Sequence, residues 1–398
     1  MNNPYGLPEF DVDPYDPALL QAPADYYRDL RAHGPLVFIP RYGVYASGHI
    51  AVVEAVFRDW QRFSSARGVG LADFKRDPPW RAPSIILEVD PPAHDRARRV
   101  MTRVLSPQAI RALQPRFAQV AKRLVDEALG ANEVDGVKSL AAAFPLEVFG
   151  DAVGVARAER ERLLIYGAMV FDALGPDNAA RRTSLAHAAE LVPWIAARCA
   201  REALDDDGLG AAIYAAAEVG DVSVEEASLL VRSLLSAGID TTVATLANLL
   251  YCCAEHPGQW ARLRGDVSLI PATIDEVLRY ASPVHTFCRT STTAVPLVGA
   301  TMPADNKILC VMGAANRDPA RWHDAERFDI TRPSRPHVAF GSGIHVCVGQ
   351  HLARQEITAM LSVLVAQVQR IELVGEPQWR AGNAVRSLAH LPLRLHAA

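Results

Sequence analysis

For its length of 398 residues the chain carries little net charge. Its 41 lysines and arginines stand against 45 aspartates and glutamates, a formal −4. That balance excludes a general nucleic-acid binder and a protein held on an anionic membrane by charge. Cysteine is scarce as well. The six residues Cys199, Cys252, Cys253, Cys288, Cys310 and Cys347 lie scattered through apolar segments, without disulfide-framework or zinc-site spacing, which points to a reducing compartment. Met1 to Pro14 is polar and proline-bearing, with neither a charged-then-apolar signal nor a spanning segment of about 20 apolar residues, so the expectation is a cytoplasmic protein with no membrane contact. Repeats, low-complexity tracts and linkers are missing too, and residues 1–398 read as a single domain.

What is present is mostly helical patterning. From about Ala93 to Tyr280, alanine- and leucine-rich stretches repeat every three to four residues. Short β-like runs precede them (Leu36 to Ile39, Tyr42 to Tyr45) and follow them (Ala294 to Val298, Lys307 to Val311). Proline-rich punctuation falls at 78–92 and 319–336. A last helix is expected from about Val348 to Arg370, and a hairpin from Val385 to Leu395. The fold class is therefore mainly α, a large helical lobe with a small β lobe.

The segment Phe340-Gly341-Ser342-Gly343-Ile344-His345-Val346-Cys347-Val348-Gly349 is the most informative. It places one cysteine in a glycine-rich loop that runs into a helix-forming stretch. Backbone N–H groups and the positive end of a helix dipole favour a thiolate there, one able to ligate a metal. The ordinary alternative is a buried free cysteine near a turn. A second segment, 232–250, is a long apolar helix carrying Gly238, Asp240, Thr241 and Thr242 at its centre, poor residues for a buried helix. Either the helix is kinked and capped by hydroxyls, or it is opened to hold water and hydroxyls against a cleft.

Phe-Gly-x-Gly-x-His-x-Cys-x-Gly resembles the haem-binding loop of a cytochrome P450. Ala237-Gly238-Ile239-Asp240-Thr241-Thr242 resembles the oxygen-activation groove of that family's central helix. The resemblance implies the P450 fold, with haem b (iron protoporphyrin IX) between the central helix and the helix after the cysteine loop, and Cys347 as axial iron ligand. It implies Asp240 and Thr241 as the proton-delivering, dioxygen-binding pair. His94, Arg98, Arg289 and His345 become donors to the haem propionates, although any one of them could be a surface charge. Glu276 and Arg279, an i, i+3 pair, are either an exposed helical pair or the family's buried structural ion pair, with Arg327 or Arg332 as third member. Arg96, Arg99 and Arg103 lie on another face of the His94 helix, as a solvated stripe or as the docking patch for an acidic partner. The partners implied are O2 and an iron–sulfur ferredoxin with its NAD(P)H-dependent reductase, and a monomeric enzyme is expected.

For the substrate, Ser84 and Ser233 with Arg81 or Arg232 offer a carboxylate site away from the metal. Ser233, Ser236, Ala237, Asp240 and Thr241 share a helix face. Leu87, Phe171, Leu174, Val284 and Phe287 are candidate apolar walls. The serines could equally pack or bond backbone, and the arginines face solvent. Arg67 to Lys75, Pro79 to Ser84 and Leu230 to Gly238 are similar to the bacterial P450 subgroup that oxidises para-substituted benzoic acids and demethylates 4-methoxybenzoate, and Tyr166 matches a carboxylate-side tyrosine of that subgroup. Three positions depart from it: Leu174 and Cys288 stand for phenylalanines and His285 for a glutamine. A smaller side chain at Leu174 would admit a meta substituent. The other readings are a P450 acting on a terpenoid, fatty acid or biosynthetic intermediate, and a haem-thiolate gas sensor, against which the Asp240-Thr241 pair speaks.

Overall fold

A computed structural model describes residues 6–398. Its helical lobe is arranged around two long elements. Pro107–Gly130 starts on Ser106, whose hydroxyl accepts from Ala109 N–H, with proline at the first helical position. It buries Ile110, Phe117, Val120, Ala121, Leu124, Val125 and Ala128 on one stripe, packed against the helix Gln350–Gln367. The central helix begins at Val224 with a Ser223/Glu226 capping box. It breaks at Ile239 into Val224–Gly238 and Asp240–Glu255.

The break has local causes. A Cβ on Gly238 would stand 2.3 Å from the Phe149 ring, so only glycine permits that approach. Three hydroxyls then serve carbonyls: Thr241 donates to Ala237 O (2.7 Å), Thr242 to Gly238 O (2.9 Å) and Thr245 to Thr241 O (2.7 Å). Together the two halves, Val224–Glu255, are long and apolar enough to cross a bilayer by composition. Most of the apolar window is buried against other helices, as a core helix is.

The β lobe holds a five-stranded sheet in the order Val37–Ile39, Val44–Ser47, Lys307–Val311, Thr286–Ser291, Phe63–Ser64. Val44–Ser47 runs parallel to Lys307–Val311 with Tyr45 opposite Ile308, and the other pairings are antiparallel. In Thr286–Ser291 the period of two puts Phe287 and Arg289 on one face and Cys288 on the other. An apolar wall and a cation are thereby aimed the same way.

The C-terminal expectation needs correction. Arg386–His390 pairs with Gln378–Ala381, whereas Pro392–Ala397 pairs with Val368–Leu373 and Val134–Asp135. Alternation marks both tail strands but does not say which neighbour each will find. The last helix starts at Gln350 and ends at Gln367. The cysteine loop sits where the two lobes meet. Gly343 has φ +73°, and a Cβ there would lie 2.3 Å from Phe57 O.

Candidate active site

Cys347 is fixed by its backbone, its N–H donating to Phe340 O at 2.8 Å, one residue pair short of the helix Gln350–Gln367. Burial pushes its thiol up, while the Gly349 N–H, Arg98 and the Gln350 N–H pull it down. A coordinated metal would decide that contest for the thiolate. Around it stand the four expected donors. The His94 and His345 rings meet edge to face at 4.6 Å. Each has a buried Nε2 without a hydrogen-bond partner. Arg98 donates to Val346 O at 2.5 Å, and Arg289 to Cys288 O at 2.8 Å with its guanidinium over Phe57. Neither arginine pairs with a carboxylate among the described residues. One buried and one half-buried guanidinium held by carbonyls, and two imidazole nitrogens without a hydrogen bond (His345 Nε2 faces Asp90 Oδ1 at 4.0 Å), fit a group bearing two carboxylates. With Cys347 between them, the residues suit haem.

The helix break carries Asp240 and Thr241. Asp240 is buried, and burial pushes its carboxyl up, opposed by Arg380 and reinforced by Asp172. Arg380, from the strand Gln378–Ala381, reaches Asp240 Oδ1 at 3.4 Å and Asp172 Oδ2 at 3.3 Å. Asp240 Oδ2 has no partner. Asp172 ends the helix Arg162–Asp172 and is tied to the C-terminal hairpin by Asn383, which donates from its backbone at 3.0 Å and from Nδ2 to Asp172 O at 2.8 Å. The Ser184 hydroxyl also donates to Asp172 Oδ2 at 2.6 Å. On the far side, Glu356 is buried beside Thr242 with one oxygen unpartnered, its carboxyl pushed well up by burial.

Ser84 Oγ and Ser233 Oγ stand 3.3 Å apart. Arg232 donates to Ala82 O (2.8 Å) and Pro83 O (3.1 Å), bracing the turn that carries Ser84. Arg81 donates to Ala82 O at 2.8 Å and lies 3.3 Å from Glu88 Oε2, which also accepts Ser84 N–H at 2.8 Å. Arg81 Nε is buried and unpartnered. Tyr166 is buried; burial raises its phenol, and Arg81 and Arg232 are near enough to lower it. Leu87 lies on the same turn, its N–H donating to Ser84 Oγ at 3.3 Å. The Ser236 hydroxyl turns back to Ser233 O (3.3 Å). Phe171 packs with Ala244, Ala384 and Val385, with Leu174, Val284 and Phe287 against them. Ala237 is held on the same helix face through its carbonyl to Thr241.

Glu276 and Arg279 form a fully buried pair, Nε to Oε2 at 2.7 Å. Of the two candidates for the third member, Arg332 approaches Glu276 (3.4 Å), and Arg327 offers only its carbonyl to Arg279. The Arg96, Arg99, Arg103 stripe is partly neutralised: Arg96 pairs with Glu226 and Arg103 with Asp221, leaving Arg99 without an acid partner among the described residues.

Sequence reasoning missed Arg380, Asp172, Asn383, Glu88, Glu356, Ala384 and Val385. Only Glu356 carried a signal, an acid on the apolar stripe of the last helix. Glu88 lies only four residues from Ser84, and the others come from segments distant in sequence that meet only in the fold.

Comparison with known proteins agrees with this geometry. The family model described as Cytochrome P450 matches residues 204–370. A protein named cytochrome P450 CYP199A2, from Rhodopseudomonas palustris, is 45% identical over 99% of this chain and 96% of its own. Among solved structures, cytochrome P450 CYP109Q5 from Chondromyces apiculatus has a TM-score of 0.82 at 29% identity, covering 98% of this chain and 99% of the other. Cytochrome P450 CREJ in complex with (4-ethylphenyl) dihydrogen phosphate has a TM-score of 0.85 at 25% identity, covering 98% and 100%.

Proposed function

Because the chain belongs to the cytochrome P450 family, a haem-dependent monooxygenase family, we propose that it hydroxylates or O-demethylates a para-substituted benzoic acid such as 4-methoxybenzoate. When bound, haem b supplies the reduction of dioxygen and the transfer of one oxygen atom to the substrate. The protein's part is to hold Cys347 toward the iron and to anchor the propionates with His94, Arg98, Arg289 and His345. Asp240 Oδ2 and Thr241 Oγ1 move protons toward the oxygen-binding side, and electrons arrive from a ferredoxin and its reductase, as in bacterial relatives.

The observation that carries the substrate reading is the buried, unpartnered Arg81 Nε on the same turn as the Ser84–Ser233 hydroxyl pair. A lone buried N–H of a guanidinium favours an anion, and a carboxylate fits it together with the two hydroxyls. Phe171, Val284 and Phe287 then flank the ring, and the para carbon points toward the Cys347 side. The structural relative solved with an aryl phosphate likewise accommodates a para-alkylated ring bearing an anionic group.

Titrating the purified ferric protein with 4-methoxybenzoate while following the Soret band tests this. A saturable shift to high spin, and 4-hydroxybenzoate with formaldehyde in turnover, is the expected result. No shift, with a normal carbonyl spectrum of the reduced protein, would retain the P450 and discard the benzoate. In the same assay 3-methoxybenzoate turnover tests whether Leu174 widens the wall, and strictly para turnover would reject that role.

A further inference from the structure

The charges around the Ser84–Ser233 pair do not cancel. Two arginines, Arg81 and Arg232, lie there with one acid, Glu88, and all three act on Tyr166. All three are largely withdrawn from solvent, with the Glu88 side chain 4% and the Arg81 side chain 11% exposed. Their formal sum is one positive charge. Glu88 is held on both sides, accepting Ser84 N–H and facing Arg81, so it stays when a ligand enters. Arg81 Nε is left as the donor with nothing to serve.

Resting on the benzoate reading, we propose that Glu88 is a specificity residue that sets this subsite to a single positive charge, making it a filter for monoanionic carboxylates that rejects dianionic head groups. A monocarboxylate neutralises the cluster. A dianion would leave one buried negative charge uncompensated beside Glu88, and burying an unpaired charge is strongly unfavourable. Replacing Glu88 by glutamine keeps an oxygen for Ser84 N–H and keeps the shape, while raising the sum to two.

The test compares two probes sharing one ring, 4-ethylbenzoate and 4-ethylphenyl phosphate, by spin-state titration at about pH 8, where the phosphate is a dianion. The native protein is expected to bind the benzoate and to discriminate against the phosphate. In Glu88→Gln the ratio of phosphate Kd to benzoate Kd should fall by about tenfold or more, the size of one charge contact in a partly buried site. A merely structural role for Glu88 would weaken both probes alike and leave that ratio unchanged, which overturns the proposal, as does a glutamine variant that binds benzoate but still no phosphate. If the native protein gives no shift with the benzoate, the substrate reading fails, a separate outcome. Should Glu88→Gln lack a normal carbonyl spectrum, Arg232→Gln replaces it. That variant takes the sum to zero and must weaken 4-ethylbenzoate by about tenfold relative to neutral 4-ethylbenzamide, and equal losses for both would overturn the proposal.

Discussion

Thr241 uses its hydroxyl hydrogen on Ala237 O, so its oxygen lone pairs are what remains for a water or a bound ligand. Cutting the side chain back to Cβ removes the acceptor and frees the Ala237 carbonyl, while alanine remains a residue the helix accepts. Thr241→Ala is therefore expected to bind substrate with near-native affinity but to divert electrons from product. Measured as product formed per NAD(P)H consumed, coupling should drop several-fold, with hydrogen peroxide accounting for the difference. Unchanged coupling would remove Thr241 from proton delivery and leave it a backbone cap.

Between elements, Glu276 does most of the joining. Its carboxylate binds Arg279 on its own helix, accepts Asp329 N–H at 2.9 Å and the Ser334 hydroxyl at 2.7 Å, and faces Arg332. Arg279 in turn donates to Asn316 O and Ala325 O. The helix Ile270–Ala281 is thus stitched to the irregular chain leading toward the cysteine loop. Glu276→Ala strands a buried guanidinium and should cost about 3–5 kcal/mol, whereas a paired Glu276→Met, Arg279→Met variant should lose less. Urea unfolding of the single and double variants checks this, and a single variant no worse than the double would contradict it. This helix pair was legible in sequence because i, i+3 spacing is local. The cysteine loop and the helix break were legible for a related reason: each concentrates residue types that the local backbone would otherwise disfavour. Partners supplied by distant chain were not legible. Nothing in Arg386–His390 names Gln378–Ala381 as its neighbour, and nothing in Arg380 announces two aspartates 140 and 208 residues away.

At the scale of the whole molecule, stability should depend on pH through histidines folded in the neutral state. Burial pushes His285 down to about 4, with the Gly382 carbonyl opposing and Arg386 assisting. His337 moves the same way through burial, opposed by Asp275. Unfolded, such groups titrate near pH ~6.5, so below that the unfolded chain takes up more protons. The stabilisation is complete above about pH 6.5 and is lost as pH falls through about 4. Asp240 and Glu356, whose carboxyls are raised, work in the opposite sense, favouring the fold when protonated. His285→Gln should flatten the decline between about pH 6.5 and 4 in denaturation midpoints, and an unaltered slope would refute the assignment. Over the same scale runs the chain Asp172–Arg380–Asp240. Asp172 also fastens the end of its helix to the C-terminal hairpin. Parting that seam takes away one of the two anions sharing Arg380 and leaves the guanidinium to Asp240 alone. The acid at the helix break thus shares its one cation with the contact that fastens the helix Arg162–Asp172 to the strand pair Gln378–Ala381 and Arg386–His390.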